Sequence, residues 1–409
     1  MTLHYESGSL TWGEFPLTKL TAEGTPLYIY HEETLRATAA SFLAGIAALP
    51  GPAHLCYATK ANGNPEIIKI FHGMGLGADV TSGGELYLAQ AAGVAPADII
   101  YSGVGKSAAE IHLALQSGIR ALHVESAAEF EAIAAIAQRE QIRARIGIRV
   151  NPNVTASTHP YISTGGKQHK FGVNSDMAAA LLRRATENEW LEPAGLAIHI
   201  GSQIVDLEPF EEAVALLISL GQQLRSEGVP LDYLDVGGGL GIDYTEASPT
   251  PQEWVRRVAT PVVEAGFAVV LEPGRSLVGA AGLLLTRVEY LKQQEEKQFV
   301  IVDGGMNDLI RPTLYKAHHP ILPVKEPAGP QRQTVDVVGP VCESGDYFAQ
   351  ERELPPVTAG DLLAVTHAGA YGFAMSSNYN GRLRPAEVLI SGTDYRVIRK
   401  RQVLADLLP

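Results

Sequence analysis

The chain is poor in cysteine, with only Cys56 and Cys342 in 409 residues. Two thiols cannot form a disulfide framework, and no Cys/His spacing is typical of a zinc site. No run approaches the roughly 20 apolar residues that a membrane span needs. The N-terminal stretch has no basic region followed by an apolar one, so we expect no signal peptide and a cytoplasmic location.

Basic residues are the minority among the charged ones. The 32 Lys and Arg residues against 45 Asp and Glu give a formal net charge of −13 at pH 7. This balance argues against nucleic acid and anionic membranes as partners. The chain is also long for one ordinary core, and its hydrophobic content of 46% is ample for packing. A large domain plus a smaller one is therefore expected.

Short apolar runs alternate with Ala-, Leu- and Glu-rich stretches over the first two thirds of the chain. Segments 126–139 and 209–225, which lie between runs, carry apolar residues at helical spacing. Eight alternations predict an α/β fold of the (β/α)8, TIM-barrel type rather than an open dinucleotide-binding sheet. The predicted strands are 54–58, 77–80, 99–101, 121–124, 146–150, 195–200, 233–236 and 268–272.

The pattern changes after residue 275 into short strands separated by Gly and Pro, which predicts a second, mostly β domain. The run 26–30 also predicts a strand, which could add to the barrel. We assign 32–275 to the barrel, and 1–31 with 276–409 to the β-rich domain. The strands predicted in the second domain are 286–292, 298–302, 334–338, 361–365, 387–390 and 395–398.

Polar or glycine residues follow the end of nearly every predicted barrel strand. TIM-barrel active sites are built from these positions, and chance would place polar side chains at only some of them. In strand order the residues are Lys60; Thr81 and Ser82; Ser102; Glu125 and Ser126; Asn151; His199 and Ser202; Gly237, Gly238 and Gly239; and Glu272, Gly274 and Arg275.

Several of these residues suit a pyridoxal-phosphate (PLP) site, although each also has a plain structural interpretation. Lys60 could be a solvated lysine, or a partly desolvated amine with a lowered pKa that attacks an aldehyde. Glu272 could cap a turn, or keep the pyridine nitrogen of PLP protonated so that the ring accepts electrons. His199 could be structural, or stack on the ring. Segment 237–239 and Gly274 occupy the usual position of a barrel phosphate site.

Together these residues resemble the diaminopimelate decarboxylase family, fold-type III PLP enzymes related to ornithine decarboxylase and alanine racemase. The resemblance covers about residues 24–398 and implies the decarboxylation of meso-2,6-diaminopimelate to L-lysine, the last step of lysine biosynthesis. The motifs that carry it are GADV at 77–80 with SGGEL at 82–86, THPYISTG at 158–165, VDGGMNDLIRP at 302–312, GPVCESGD at 339–346 and AGAYG at 368–372.

The resemblance implies a role for each matching residue. The catalytic residues would be Lys60, which forms the Schiff base with PLP, His199, which stacks on its ring, and Cys342, the proton donor from the second subunit. The cofactor-binding residues would be Lys60, Asp79, His199, Ser202, Gly237, Gly238, Gly239, Glu272, Gly274, Arg275 and Tyr371. The substrate-binding residues would be Arg275, Arg311, Tyr315, Glu343 and Tyr371. No metal is expected. The family also implies a homodimer with shared active sites, each β-rich domain contributing to the partner's site.

The choice of substrate also has a physical basis. Meso-diaminopimelate is zwitterionic at its unreacting end, so Arg311 and Arg275 could bind that carboxylate while Glu343 accepts the ammonium group. Ornithine, arginine, carboxynorspermidine or a carrier-linked amino acid remain alternative substrates of a related decarboxylase. A catalytically dead paralogue would lack the lysine or the cofactor residues, and a single-domain PLP-homeostasis protein would lack the second domain. The Gly and His-Pro content of segment 155–166 would permit it to move as a lid, but the sequence does not show whether it does.

Overall fold

The computed structural model describes residues 3–154 and 170–409 of the chain, and the candidate lid 155–166 lies outside them. The chain divides into two compact units. One contains Met1–Ala37, Asp243–Glu246 and Val278–Pro409, and the other contains Thr38–Ile242 and Ala247–Leu277. Within the described ranges, no helix is both long enough and apolar enough to cross a membrane.

The first unit begins with a small antiparallel sheet of β1 (Leu3–Glu6), β2 (Ser9–Trp12) and β3 (Phe15–Pro16). Ser7 and Gly8 connect β1 to β2 and have φ angles of 51° and 79°. Two consecutive positive φ angles are typical of the tight turns that match strand twist in hairpins. Strand β4 (Leu27–His31) follows and belongs to a larger sheet.

The second unit is built on a closed barrel of eight parallel strands, which confirms the predicted fold class. Strands adjacent in the chain are neighbours in the barrel, and the last strand pairs with the first to close the ring. The strands are β5 (Ala53–Ala58), β6 (Gly77–Val80), β7 (Ile99–Tyr101), β8 (Ala121–Val124), β9 (Ala144–Arg149), β10 (Leu191–Ala197), β11 (Tyr233–Asp235) and β12 (Ala268–Leu271).

Helices alternate with the barrel strands, and capping residues explain where several of them begin. Ser82, Ser107 and Ser126 each accept a hydrogen bond from the backbone N–H three residues later, which satisfies one of the first-turn donors. The helices are α1 (Glu32–Ala47), α2 (Pro65–His72), α3 (Gly83–Ala91), α4 (Ala108–Ser117), α5 (Ala127–Glu140), α6 (Ser175–Glu187), α7 (Glu208–Ser226), α8 (Pro251–Glu264) and α9 (Arg275–Val278).

Strand β10 starts four residues before the predicted start at 195. The predicted strand therefore excluded Pro193. Proline cannot donate to a sheet ladder, but β10 accommodates it with a register shift between Pro193 and Gly195. A Cβ on Gly195 would lie 2.6 Å from the Tyr233 ring. The glycine is therefore required because Tyr233 fills the barrel interior beside it.

The remaining strands form the β-rich part of the first unit. Its main sheet has the order β17-β16-β14-β13-β4-β19-β20, with β18 also pairing with β13 and β15 with β18. The elements are β13 (Gly282–Gln294), β14 (Lys297–Val302), α10 (Arg311–Tyr315), β15 (Ile321–Pro323), β16 (Gln333–Val338), β17 (Tyr347–Leu354), β18 (Leu362–Val365), β19 (Ala386–Ser391) and β20 (Asp394–Arg399).

The expectation that strand 26–30 adds to the barrel is wrong. Strand β4 lies between β13, with which it is antiparallel, and β19, with which it is parallel. All five of its residues are buried, as expected for an internal strand. The barrel has no free edge to receive it, because β12 pairs with β5.

Candidate active site

Lys60 lies on a short turn directly after β5, at the C-terminal end of the barrel. Its Nζ atom is 3.3 Å from Oδ2 of Asp79 in the neighbouring strand β6, and the lysine side chain is 33% exposed against 0% for the aspartate. The Thr59 hydroxyl donates to the Asp79 backbone carbonyl at 2.9 Å and so ties the turn to β6. A partly buried amine is thus held beside a fully buried carboxylate.

Glu272 follows β12 and is also buried. The Ser102 hydroxyl donates to its Oε1 atom at 3.2 Å. Burial raises the pKa of Glu272 well above its usual value, and the carboxylates of Asp235 and Asp79 raise it further, while the charge of Lys60 opposes them. Such a carboxyl group favours either a proton or a cationic partner.

His199 accepts a hydrogen bond at Nδ1 from the Gly238 N–H at 3.2 Å. This bond assigns the ring proton to Nε2 in the neutral tautomer. Burial lowers the pKa of His199 well below its usual value, and the charges of Lys60 and Arg149 lower it further. The imidazole next to Lys60 is therefore an uncharged flat ring at neutral pH.

The glycine-rich loop after β11 has no room for side chains. A Cβ on Gly237 would collide with the Ile198 carbonyl oxygen, and one on Gly238 with that of Glu272. Gly237 and Gly239 also have φ angles of 70° and 106°. The loop backbone thus lies directly against the adjoining strand ends.

The N–H groups of this loop are not all directed to one anion site. Gly237 N–H donates to Oδ1 of Asp235 at 2.8 Å, and Gly238 N–H donates to His199. The sequence predicts that residues 237–239 bind the cofactor, with Gly239 at its phosphate end. In this structure the first two use their N–H groups to position Asp235 and His199.

Arg275 and Gly274 follow Glu272 in the same loop. The Arg275 guanidinium donates to the Ser202 hydroxyl from Nη2 at 3.0 Å and from Nε at 3.4 Å. A Cβ on Gly274 would lie 3.1 Å from the Ala58 Cβ atom, so glycine allows close packing on the end of β5. The loop after β12 therefore approaches the strand that leads to Lys60.

Arg311, in the first unit, is buried and has two partners that the sequence did not predict. Its Nη1 atom is 2.8 Å from the Tyr244 hydroxyl and 2.8 Å from Nε2 of His319. The His319 Nδ1 atom is 2.9 Å from the Thr366 carbonyl oxygen, so Nδ1 carries the proton and Nε2 accepts from the arginine. Tyr315 lies at the other end of the same short helix, α10.

Tyr371 lies in a constrained loop of the first unit. Both His367 and Tyr371 have a φ angle of 55°, in the left-handed region that favours glycine. A Cβ on Gly369 would collide with the Val278 carbonyl oxygen, and one on Gly372 with that of Ala368. The loop backbone is therefore closely packed, which fixes the position of Tyr371.

Cys342 and Glu343 are exposed on a loop of the first unit. Cys342 N–H donates to Asn380 Oδ1 at 2.8 Å, and the Tyr379 hydroxyl donates to Glu343 Oε2 at 3.0 Å. Asp346 anchors the loop by accepting backbone N–H groups, including that of Val341 at 2.6 Å. The loop is thus held in place while its two predicted functional side chains face outward. Tyr379 was not predicted.

His123, Tyr233 and Asp235 are buried barrel residues near Glu272 that were not predicted as part of the site. The potential ligand atoms of His123, Asp235 and Glu272 all lie within 4.8 Å of one another. His123 Nε2 is 2.9 Å from the Tyr233 hydroxyl, and burial lowers the pKa of His123 to about 3, so its ring is neutral. The acidic residue Asp235, in a buried strand, was the signal in the sequence that could have revealed this cluster.

Comparisons with known proteins agree with this geometry. The family model of the pyridoxal binding domain of pyridoxal-dependent decarboxylases matches residues 36–279. Diaminopimelate decarboxylase of Aquifex aeolicus is 45% identical over 403 residues, which cover 98% of this chain and 95% of the relative. The crystal structure of the Helicobacter pylori diaminopimelate decarboxylase with L-lysine matches with a TM-score of 0.91 at 40% identity, covering 95% of this chain and 97% of that one. The M. jannaschii enzyme in co-complex with L-lysine matches with a TM-score of 0.94 at 35% identity, covering 100% and 96%. The chain belongs to the diaminopimelate decarboxylase family of PLP-dependent decarboxylases.

Proposed function

We propose that this chain is a carboxy-lyase that converts meso-2,6-diaminopimelate to L-lysine and CO2 with PLP as its cofactor. The observation that carries the proposal is the set of groups at the C-terminal end of the barrel. An amine beside a buried aspartate, a neutral imidazole and a buried carboxyl group with a raised pKa occur together there. Two of the solved relatives, both diaminopimelate decarboxylases, contain bound L-lysine.

The barrel residues fit PLP chemically. The aldehyde needs an amine, which Lys60 supplies, and the ring nitrogen needs an acidic partner, which Glu272 supplies. Asp79 Oδ1 is buried, and no donor from residues 3–154 or 170–409 reaches it, so this side of the site favours a polar or cationic ligand atom. When bound, PLP accepts the electron pair that is left on the substrate carbon as the carboxylate departs.

The phosphate would be held by the loops after β11 and β12. The Gly237 and Gly238 N–H groups bond within the protein, so of the three glycines we assign the anion contact to Gly239. The buried Arg275 guanidinium donates to the Ser202 hydroxyl, so a cation with several N–H donors and a hydroxyl group lie side by side. Gly274 keeps the backbone of this loop close to the end of β5.

Lys60, His199 and Glu272 each have a distinct task in the reaction. Asp79 lies beside the Lys60 amine and would orient it to hold the cofactor. His199 would provide a flat surface for the ring and add no charge, because its Nδ1 accepts the Gly238 N–H. Glu272 would be the acidic partner of the ring nitrogen and stabilise its protonated form.

Arg311 is the residue that would recognise the unreacting end of the substrate. It is a permanent cation with planar donors, and a carboxylate is the partner that matches this geometry. His319 and Tyr244 hold the Nη1 side of its guanidinium. Ornithine has no carboxylate at that end, so it would not form this charge-assisted contact with Arg311. Tyr315 and Tyr371 would line the substrate position.

Cys342 and Glu343 would act in the active site of a partner subunit in a homodimer. The support is their outward position on a loop that is anchored by Asp346, Tyr379 and Asn380. Cys342 would give the proton that replaces the lost carboxylate, and Glu343 would accept hydrogen bonds from the distal ammonium group of the substrate.

The experiment compares wild-type protein and Arg311→Met, both reconstituted with PLP, on meso-diaminopimelate, L-ornithine and D-ornithine. The wild type should release CO2 from meso-diaminopimelate alone. The variant should lose this activity mainly through KM, because methionine keeps much of the volume but not the charge. If the wild type decarboxylates ornithine as well as diaminopimelate, or the variant keeps its KM, the proposed substrate is wrong.

A further inference from the structure

The polar cluster inside the barrel forms an ordered chain of hydrogen bonds that ends on Glu272. Ser102 Oγ donates to Glu272 Oε1 at 3.2 Å and lies 3.3 Å from His123 Nδ1. Because the Ser102 hydroxyl proton is directed to Glu272, the proton between Ser102 Oγ and His123 Nδ1 belongs to Nδ1. His123 Nε2 then accepts from the Tyr233 hydroxyl at 2.9 Å. Each proton is used once, and the chain directs one neutral donor at Glu272.

Asp235 meets Glu272 from the adjacent strand. It is fully buried, and its Oδ1 atom accepts the Gly237 N–H at 2.8 Å. Its Oδ2 atom lies 3.9 Å from His123 Nδ1, beyond hydrogen-bonding distance, and no donor among the described residues reaches it. A carboxyl oxygen of Asp235 lies within 4.8 Å of one of Glu272. Two carboxyl groups can bond to each other only if they hold a proton between them.

The surroundings favour keeping that proton at neutral pH. Asp79 adds a third carboxylate nearby, and Lys60 is the opposing cation. Cys56 and Tyr233 also face the pair, but burial raises the pKa of both, so they stay neutral. Burial first, and neighbouring negative charge second, raises the pKa of Asp235 to about 7 and that of Glu272 well above its usual value.

We propose that Asp235 is a positioning residue that shares one proton with Glu272, and that this proton passes to the ring nitrogen when PLP binds. The inference rests on the proposed function, because Glu272 is the residue assigned to the ring. One O–H bond breaks and one N–H bond forms. The carboxyl pair changes from one negative charge to two while the ring nitrogen becomes positive, so no solvent proton is needed.

The first test counts protons taken up when PLP binds to the apo protein, by calorimetry near pH 6 in buffers of different ionisation enthalpy. Asp235→Asn removes the carboxylate charge that raises the pKa of Glu272 and offers an amide N–H donor in its place. Both changes favour an ionised Glu272 in the apo variant, so the ring must take its proton from solvent. Uptake should rise by about one proton relative to wild type. Asp232→Asn is the matched control, because Asp232 is exposed and pairs with Arg145, and its uptake should equal that of wild type.

The second test needs no cofactor. A carboxyl group whose folded pKa is raised binds more protons in the folded than in the unfolded state between the two pKa values. Apo wild type should therefore lose stability as pH rises from about 4 towards 7, and Asp235→Asn should show a flatter slope over this range. Ser102→Ala removes the hydroxyl that donates to Glu272, which should raise the pKa of Glu272 further. The pH range over which the protein loses stability should then extend upward. This variant provides the test if Asp235→Asn does not fold.

The outcomes separate this inference from the proposed function. Equal proton uptake and equal pH slopes in wild type and Asp235→Asn would overturn the shared proton. Failure of the wild type to bind PLP would instead remove the proposed cofactor role, while the pH slopes of the apo protein would still test the carboxyl pair by themselves.

Discussion

Replacing His319 by alanine should weaken substrate binding without affecting the cofactor. The change removes the acceptor that His319 Nε2 offers to Arg311 Nη1 at 2.8 Å, in a buried setting. A hydrogen bond to a charged group contributes about 1.5–3 kcal/mol, which corresponds to roughly a 10- to 150-fold loss in kcat/KM. Because Arg311 is proposed to bind the unreacting end of the substrate, the loss should appear in KM rather than in kcat.

The assay is steady-state CO2 release from meso-diaminopimelate, with PLP occupancy measured on the same samples. His319→Gln, which restores an acceptor, should recover part of the loss, and His112→Ala, at an exposed site, should leave KM unchanged. An unchanged KM in His319→Ala, or a fall in kcat alone, would refute the role of His319 in holding Arg311.

Two further predictions concern the glycine loop and the shared site. Gly238→Ala should lower both PLP affinity and melting temperature, because its Cβ would overlap the Glu272 carbonyl oxygen at a cost of about 1–3 kcal/mol; Gly84→Ala, which meets only ordinary contacts, should lower neither. Lys60→Ala and Cys342→Ala should each be nearly inactive alone. Mixing the two should regenerate roughly a quarter of the wild-type activity through heterodimers with one intact site, and no recovery on mixing would contradict the exchange of Cys342 between subunits.

The barrel, and the polar residues that follow its strands, could be predicted because both depend on local patterns. Apolar runs of strand length alternate with helical stretches, and Lys60 and Glu272 come directly after strands β5 and β12. The carboxyl ends of parallel strands share one end of a barrel, so the order of residues along the chain already brings such positions together.

The partners of Arg311 could not be predicted because they come from distant parts of the chain. Tyr244 is 67 residues away, in a segment that follows a barrel strand but groups with the first unit. His319 is the second of two adjacent histidines, His318 and His319, and only the folded structure shows that it is the acceptor. Strand β4 was misplaced for a similar reason, since its neighbours begin more than 250 residues later.

The buried cluster beneath Glu272 was overlooked for a different reason. Tyr233 and Asp235 lie two residues apart in β11, and alternate residues of a strand face the same side. In an apolar strand both are easily taken as part of the core. Their function becomes visible only when His123 from β8 is placed beside them.

Decarboxylation of meso-diaminopimelate is tested most directly by measuring the products that the purified chain forms from it, with and without PLP. We expect L-lysine and CO2 in equal amounts, only in the presence of PLP. PLP bound to the chain without lysine formation would contradict the assigned reaction, although the fold and the family would stand.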